Sequence, residues 1–393
     1  MGPELKADVV IVGGGLMGAS AAFFLRQRGR SVILLERGLV GQQASGVNFG
    51  NVRRQGRFLP QLPLAHRSRA IWGRLQELLG EDAEFLVSGH VRIAYSEGQA
   101  EVMERYAVDA RGWGLDLEIV GGSDFRRRFP FFGPEVLCGS YSRNDGHANP
   151  RLAAPAFGRA ARREGAQVIE NCEVLSVGRD GEDFRVQTAD GRTVRAPAAL
   201  ICAGAWADKL SADFGEPVPM TAHGPTMAVT EPMPYGIVPV VGVSSKVPHE
   251  VVYFRQVKRG NIVFGGGARG PAYPDLRRAY VLPENTLLQF RELRRLAPAL
   301  ARLQLIRVWS GIEGYMPDEI PIMGPSARVP GLYYAFGFCG HGFQLGPGVG
   351  DVMAELIDTG ATSTPIESFD IKRFDAVSAA AAGVATSAAQ AAA

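Results

Sequence analysis

The chain is 393 residues long, 46% hydrophobic and 21% charged, with a formal net charge of +2. That length leaves room for two domains with a large core, and the near-neutral balance argues against a nucleic-acid surface. Cys138, Cys172, Cys202 and Cys339 show neither C-x-x-C nor metal-ligand spacing, and no apolar run reaches the ~20 residues of a membrane helix, so no metal site and no transmembrane segment is expected. The reading is a cytoplasmic protein, with peripheral contact at a membrane left open. Residues 53–57 and 126–128 are locally basic, and the latter read as a solvated face.

Val9–Val12 is a short apolar run suited to a buried strand. It leads into Gly13, Gly15 and Gly18 in G-x-G-x-x-G spacing, with Leu16 and Met17 between them, then into a helical period over 19–28 that Gly29 stops. A second strand, 31–35, ends at Glu36 and Arg37. In such a unit the first glycine permits the turn, the second lets backbone approach a pyrophosphate, and the third lets helix and strand pack closely. Glu36 would accept from a ribose diol, and its charge disfavours a 2′-phosphate, which leaves FAD and NAD open at this point.

The segment 41–57, GQQASGVNFGNVRRQGR, has no regular period and reads as a loop threading past the ligand, with backbone N–H groups, Ser45, Asn48 and Asn51 as donors. Arg53, Arg54 and Arg57 then enter a helix expected over 64–79, its core face at Ile71, Leu75 and Leu78. Strand-like residues 85–94, a helical stretch 98–112 and a Pro- and Gly-rich passage to Pro150 suggest a first excursion into another domain. Residues 152–164 are helical again. Strands with turns at 179–181 and 190–191 fill 166–203, and the apolar AALICAG at 198–204 would return to the first sheet.

A second excursion spans about 217–303, with strands at 227–229, 250–257 and 261–265 and an amphipathic helix at 284–296, as in a mixed or antiparallel sheet on whose face a substrate could sit. After 307–324 and the strand Leu332–Phe336 comes GFCGHGFQLGPGVG at 337–350, a glycine-rich turn opening at Gly337 and followed by a helix at 351–357. This repeats the opening logic, placing bare N–H groups and a helix N-terminus against the electron-rich end of a flavin. An NAD enzyme would leave this second turn without a role. The fold expected is α/β: a discontinuous Rossmann-like domain at 1–84, 145–216 and 304–375, a mixed α+β substrate domain at 85–144 and 217–303, and a low-complexity tail at 376–393.

Taken together, GGGLMG with LLER, QQASGVNFGN, ALICAGAWADKL, PDEIPIMG and GFCGHGFQLGPGVG resemble the D-amino-acid oxidase family of flavoproteins, which includes glycine oxidase, sarcosine oxidase and D-hydroxyproline dehydrogenase. The narrower likeness, carried by ASGVNFGNVRRQGR and GFCGHGFQLGPG, is to D-hydroxyproline dehydrogenase and opine-oxidase-like subunits. The resemblance implies FAD held by Gly13, Gly15 and Gly18 at the pyrophosphate and Glu36 at the adenosine ribose, with Ala44, Ser45 and Asn51 further along. It implies that Val174 meets the adenine through its backbone, that Ala203, Gly204 and Trp206 form the family's alanine-glycine-alanine-tryptophan turn, and that Gly340, His341, Gly342, Phe343 and Gln344 line the isoalloxazine. Sarcosine oxidases carry a flavin-linking cysteine where this sequence has 307–324. None stands here, so the FAD is expected to be noncovalent.

Glycine oxidase and its near relatives place a carboxylate-binding arginine where this chain has Glu313. Another cation must meet a carboxylate substrate, because a buried carboxylate without partners costs several kcal/mol. Arg53, Arg54 and Arg255 qualify by type and neighbourhood, Tyr253 adds a hydroxyl, Glu313 would hold the substrate's amine or hydroxyl, and His341 reads as a flavin-side hydrogen-bonding group. The chemistry implied is hydride transfer from the α-carbon of an amino or imino acid to flavin N5, best matched by cis-4-hydroxy-D-proline or D-proline, with reoxidation by oxygen or a carrier. Opine, sarcosine or glycine oxidation is the alternative, as is a flavin-bearing subunit serving assembly or electron relay in a heteromeric oxidase.

Overall fold

The computed structural model describes residues 4–375, so the expected tail at 376–393 lies outside the described residues. The chain forms two compact units, one from the described parts of Met1–Ser45, Ala153–Ala222 and Glu313–Ala393, the other from Gly46–Leu152 and His223–Ile312. Residues 46–84, read above with the dinucleotide domain, pack in the second unit. Their strand Asn51–Val52 pairs with Gly146–His147 of that unit.

The first unit is built on a sheet of order Ile322–Pro325, Leu332–Phe336, Ala198–Ile201, Val9–Val12, Val32–Leu35, Gln167–Ile169. All neighbours run parallel except the edge strand Ile322–Pro325. Val9–Val12 and Val32–Leu35 are buried at every position, so both faces of the sheet need cover. One cover is a smaller sheet, Glu4–Lys6, Thr193–Ala196, Asp183–Thr188 and Val174–Asp180, whose Val177, Phe184, Val186 and Val194 share a core with Val10, Val12, Ile33 and Leu35. The parallel central strands give the first unit its Rossmann-like α/β character.

Two helices of this unit, Leu16–Gln27 and Gly342–Thr359, cross at unusually close range. The second is longer than its sequence suggested. Gly342, Gly346 and Gly350 lie inside it rather than in a turn that precedes it, and so does Pro347. Helix propensity opposes this, yet packing supplies the reason: a Cβ at Gly346 would stand 2.5 Å from Leu16 Cγ, and one at Gly350 would stand 2.6 Å from Ala21 N. Ser20 Oγ fastens the crossing by donating to Leu16 O at 2.6 Å and sharing a second contact with Gly346 O at 3.0 Å.

The second unit holds a larger sheet in the order Leu305–Ser310, Thr221–Pro232, Asn261–Tyr273, Val252–Gln256, Val240–Val243, His90–Ala94, Cys138–Ser142, Glu118–Gly121. Neighbours are antiparallel except Val240–Val243 with His90–Ala94. Leu293 and Leu296 of helix Pro283–Leu296 join Val91, Ile93, Phe254 and Phe264 in its core. The helix expected over 64–79 is two, Leu62–Gly73 and Leu75–Leu79, because Arg74 leaves helical geometry at φ −117°, ψ 14°. Of residues 126–128, Arg127 and Arg128 are exposed, as a solvated face requires, while the half-buried Arg126 donates to Gly133 O at 2.8 Å.

The close crossing makes Gly350 intolerant of even a methyl group. Gly350→Ala should lose about 1–3 kcal/mol in chemical denaturation through overpacking against backbone. Gly98→Ala, in helix Glu97–Arg111 with open space around it, should be neutral or gain up to ~1 kcal/mol.

Candidate active site

At the first glycine turn, Gly13 sits at φ +106° with its N–H donating to Leu35 O at 2.9 Å, and a Cβ there would press to 2.8 Å from the Cys202 carbonyl carbon. Gly15 has only Ser45 Oγ near its missing Cβ, and Gly18 packs against Gly13 and Ile11. The Leu16 N–H donates to Ser45 Oγ at 2.8 Å, while no side chain caps the helix at Gly15. Ser45 thus serves as an acceptor at the helix start, where donation to a ligand was expected. A bare turn feeding a helix N-terminus is a cradle that a pyrophosphate fills.

Glu36 does more than its sequence position indicated. Its Oε2 accepts from Gly14 N–H at 2.6 Å and its Oε1 from Gly38 N–H at 2.7 Å, so the acid is fixed against the turn itself with lone pairs left over. Gly14 is therefore as constrained as its neighbours, since a Cβ would meet Glu36 Cβ at 2.8 Å. The run of three glycines was the available signal. Arg37 lies 4.5 Å over the Trp206 ring and 3.4 Å from Glu173, which ties it to the Gly204–Trp206 turn that follows Ala203. Val174 opens the strand Val174–Asp180, paired with Thr188. Ala44 begins the short helix Ala44–Val47, a turn of regular structure inside the expected loop.

At the second glycine turn, Gly337, Cys339 and Gly340 all have positive φ, at +71°, +51° and +77°. Cys339 is buried; its Sγ accepts from Met316 N–H at 3.2 Å and donates to Gly337 O at 3.1 Å, and burial pushes its thiol up to about 12. Glu313 grips the same turn, with Oε1 accepting from Gly340 N–H at 2.6 Å and Oε2 from Tyr315 O–H at 2.9 Å. His341 occupies the cap position of helix Gly342–Thr359, no side chain caps it, and Gly342, Phe343 and Gln344 form the buried first turn. Gly342 touches Met17, since a Cβ there would lie 2.7 Å from Met17 Cε. The crossing therefore sets two glycine-lined helix N-termini side by side, and neither cap residue, Gly15 or His341, supplies a capping side chain of its own. This donor set fits a large anionic, electron-rich cofactor, and no metal-holding group of acids, histidines or cysteines occurs among the described residues.

The candidate substrate residues lie in the second unit. Arg54 is oriented by the buried Asp145, its Nε donating to Oδ1 at 2.9 Å and its backbone N–H to Oδ2 at 2.8 Å. Its Nη1 reaches His66 Nδ1 at 3.3 Å. Arg255 is buried, donating from Nε to Phe49 O at 2.7 Å and from Nη1 to His147 Nδ1 at 3.0 Å. Burial lowers its pKa to about 10. Tyr253 packs edge-on against Phe49 with ring centroids 4.7 Å apart. Asn48 Oδ1 accepts from Gly50 N–H at 2.7 Å, while the buried Asn51 Oδ1 has no hydrogen-bond partner among the described residues. Sequence reasoning missed Asp145, His66 and His147, which only the fold brings to these arginines.

Residues 8–356 match the family model described as FAD dependent oxidoreductase, and the chain belongs to that family. Among its relatives, glycine oxidase of Geobacillus kaustophilus (strain HTA426) is 28% identical over 377 residues, covering 94% of this chain and 97% of its own length. An opine oxidase subunit from Rhizobium meliloti is 28% identical over 382 residues, covering 94% and 98%. The crystal structure of L-proline dehydrogenase from P. horikoshii superposes with a TM-score of 0.88 at 26% identity, covering 95% of this chain and 99% of that one. The protein is an FAD-dependent oxidoreductase. No helix among the described residues is long and apolar enough to cross a membrane.

The arginine contacts carry a pH signature. A guanidinium only donates, so His147 accepts at Nδ1 and must be neutral; burial, with Arg255 beside it, depresses its pKa to about 3. The unfolded chain takes up this proton near pH 6.5 and the folded chain does not, so the contribution is complete above that pH and is lost as pH falls toward 3. Denaturation curves should show His147 costing on the order of 2 kcal/mol between pH 7 and 4.5, with a shallower acid slope in His147→Gln.

Proposed function

We propose that this chain oxidises a small amino or imino acid at its C–N bond with noncovalent FAD. The observation that carries the reading is the pair of glycine-lined helix N-termini held together in one unit of a chain that belongs to an FAD-dependent family. Gly13, Gly15 and Gly18 would hold the pyrophosphate and Glu36 the ribose, while Gly340–Gln344 backbone would face the isoalloxazine. When bound, FAD supplies the acceptor, taking a hydride at N5.

In this reading Glu313 acts by fixing the Gly340 turn, so that its N–H groups are already oriented before a ligand arrives. Arg54 is the favoured clamp for the substrate's α-carboxylate, because Asp145 and His66 hold it in one orientation. Arg255, spent on Phe49 O and His147, shapes the surrounding backbone. The substrate amine must be unprotonated for its lone pair to form the C=N bond as the hydride leaves, and water then hydrolyses an acyclic imine.

Within this class, cis-4-hydroxy-D-proline or D-proline is the specific reading supported by the family resemblance and the likeness to L-proline dehydrogenase. An opine is the second, supported by the likeness to an opine oxidase subunit, which also supports a place in a heteromeric oxidase with oxygen or a carrier as final acceptor. The test is anaerobic bleaching of the flavin band with cis-4-hydroxy-D-proline, D-proline, glycine, sarcosine and an opine in turn. At least one should bleach it, and acid precipitation should release all the flavin into solution. A band that no compound bleaches would overturn the reading, and flavin that precipitates with the protein would overturn noncovalent binding.

A further inference from the structure

Three arginines of the second unit gather around Gly56. The Nη1 atoms of Arg53 and Arg92 both lie within 3.4 Å of where a Gly56 Cβ would stand, so the glycine, at φ +68°, is what lets the two guanidiniums approach each other. Arg57 closes the group: it is only 4% exposed, its Nε donates to Arg53 O at 3.0 Å and its N–H to Tyr106 Oη at 2.9 Å. Arg53 turns one Nη toward the Gln55 and Gly56 carbonyls and has no ion pair among the described residues. The Arg92 side chain makes neither a hydrogen bond nor an ion pair there.

The neighbouring groups do not neutralise this charge. Asp145 is the acid whose field reaches Arg53 and Arg57, and its carboxylate is already bonded to Arg54. Tyr106 and Tyr253 are neutral phenols, and His90 faces the arginines uncharged with Nδ1 accepting from Gln55 Nε2 at 2.8 Å. Desolvation and then mutual repulsion hold Arg57 down at about 9 and Arg92 at about 10. Arg53, Arg54, Arg57 and Arg69 all share this one carboxylate, and no carboxylate among the described residues acts on Arg92. One α-carboxylate is satisfied by a single oriented guanidinium, so a monoanion would leave the Gly56 group uncompensated.

We propose that Arg53, Arg57 and Arg92 form a subsite for a second carboxylate, so that the compound oxidised is an N-(carboxyalkyl) amino acid of the opine class rather than a cyclic monocarboxylate. The assignment to substrate rests on the amino-acid oxidation reading above; the affinity for a dianion does not.

Two matched pairs of probes separate these statements on the purified holoprotein. Calorimetric titration compares diglycolate, a dianion with an ether oxygen in place of the amine, with methoxyacetate, its monoanionic counterpart. Anaerobic flavin bleaching compares iminodiacetate with sarcosine, secondary amines that differ by one carboxylate. The dianion should win by at least about tenfold in both comparisons, and Arg92→Gln should bring both ratios toward one. Arg92→Lys, which keeps the charge and loses the fork, should retain part of the preference and covers the case in which the glutamine variant does not fold. Equal binding of the two ethers, or a preference that both Arg92 variants leave intact, would overturn the subsite. A diglycolate preference with no bleaching by iminodiacetate would uphold the dianion subsite and overturn its assignment to the oxidised substrate.

Discussion

The crossing of Leu16–Gln27 with Gly342–Thr359 is the constraint on which the rest of the first unit depends. Helix dipoles and free N–H groups attract an anion only within about the first turn, so two helices reinforce each other only if their first turns are neighbours. Side chains of ordinary size would hold the axes apart. Gly346 and Gly350 remove them where Leu16 and Ala21 need the space, and Ser20 replaces the lost contacts with a hydrogen bond to Gly346 O. The parallel sheet beneath delivers both chain segments to the same edge, through Val9–Val12 and Leu332–Phe336 on either side of Ala198–Ile201. Glu36 and Glu313 then perform matching tasks, each accepting a glycine N–H and pinning one turn.

The second unit solves a different electrostatic problem. It buries cations, and the burial costs less where their N–H groups find acceptors. Arg54 is given a carboxylate, Arg255 a carbonyl and a neutral imidazole, and Arg53 two carbonyls of its own loop. Carbonyls and imidazoles compensate hydrogen bonds without cancelling charge, so the positive field of the loop survives the packing. Such an arrangement stabilises an arriving anion more than it stabilises the empty protein.

Much of the first unit was legible because its signals are local. An apolar run bounded by glycine defines Val9–Val12 and Leu332–Phe336 to the residue, and the G-x-G-x-x-G spacing needs only strand, turn and helix in succession. The extent of helix Gly342–Thr359 was not legible, since four glycines and a proline read as a turn until a partner helix makes their bareness useful. Likewise Arg92 sits in the strand His90–Ala94 and Arg57 in a loop, and no linear spacing links them. Their meeting depends on Gly56, whose missing Cβ leaves a mark only in three dimensions.

The strand order has a consequence for the birth of the protein. Val9–Val12 is synthesised well before its neighbour Ala198–Ile201 and before the helix that closes on Leu16 and Ser20. At about 5–20 residues per second, the wait for the last of these is on the order of tens of seconds. Throughout that interval an apolar strand bonded on one side only, and a helix whose packing face is open, must be kept from pairing with other chains. Protection of the nascent chain is then a demand that the strand order itself makes.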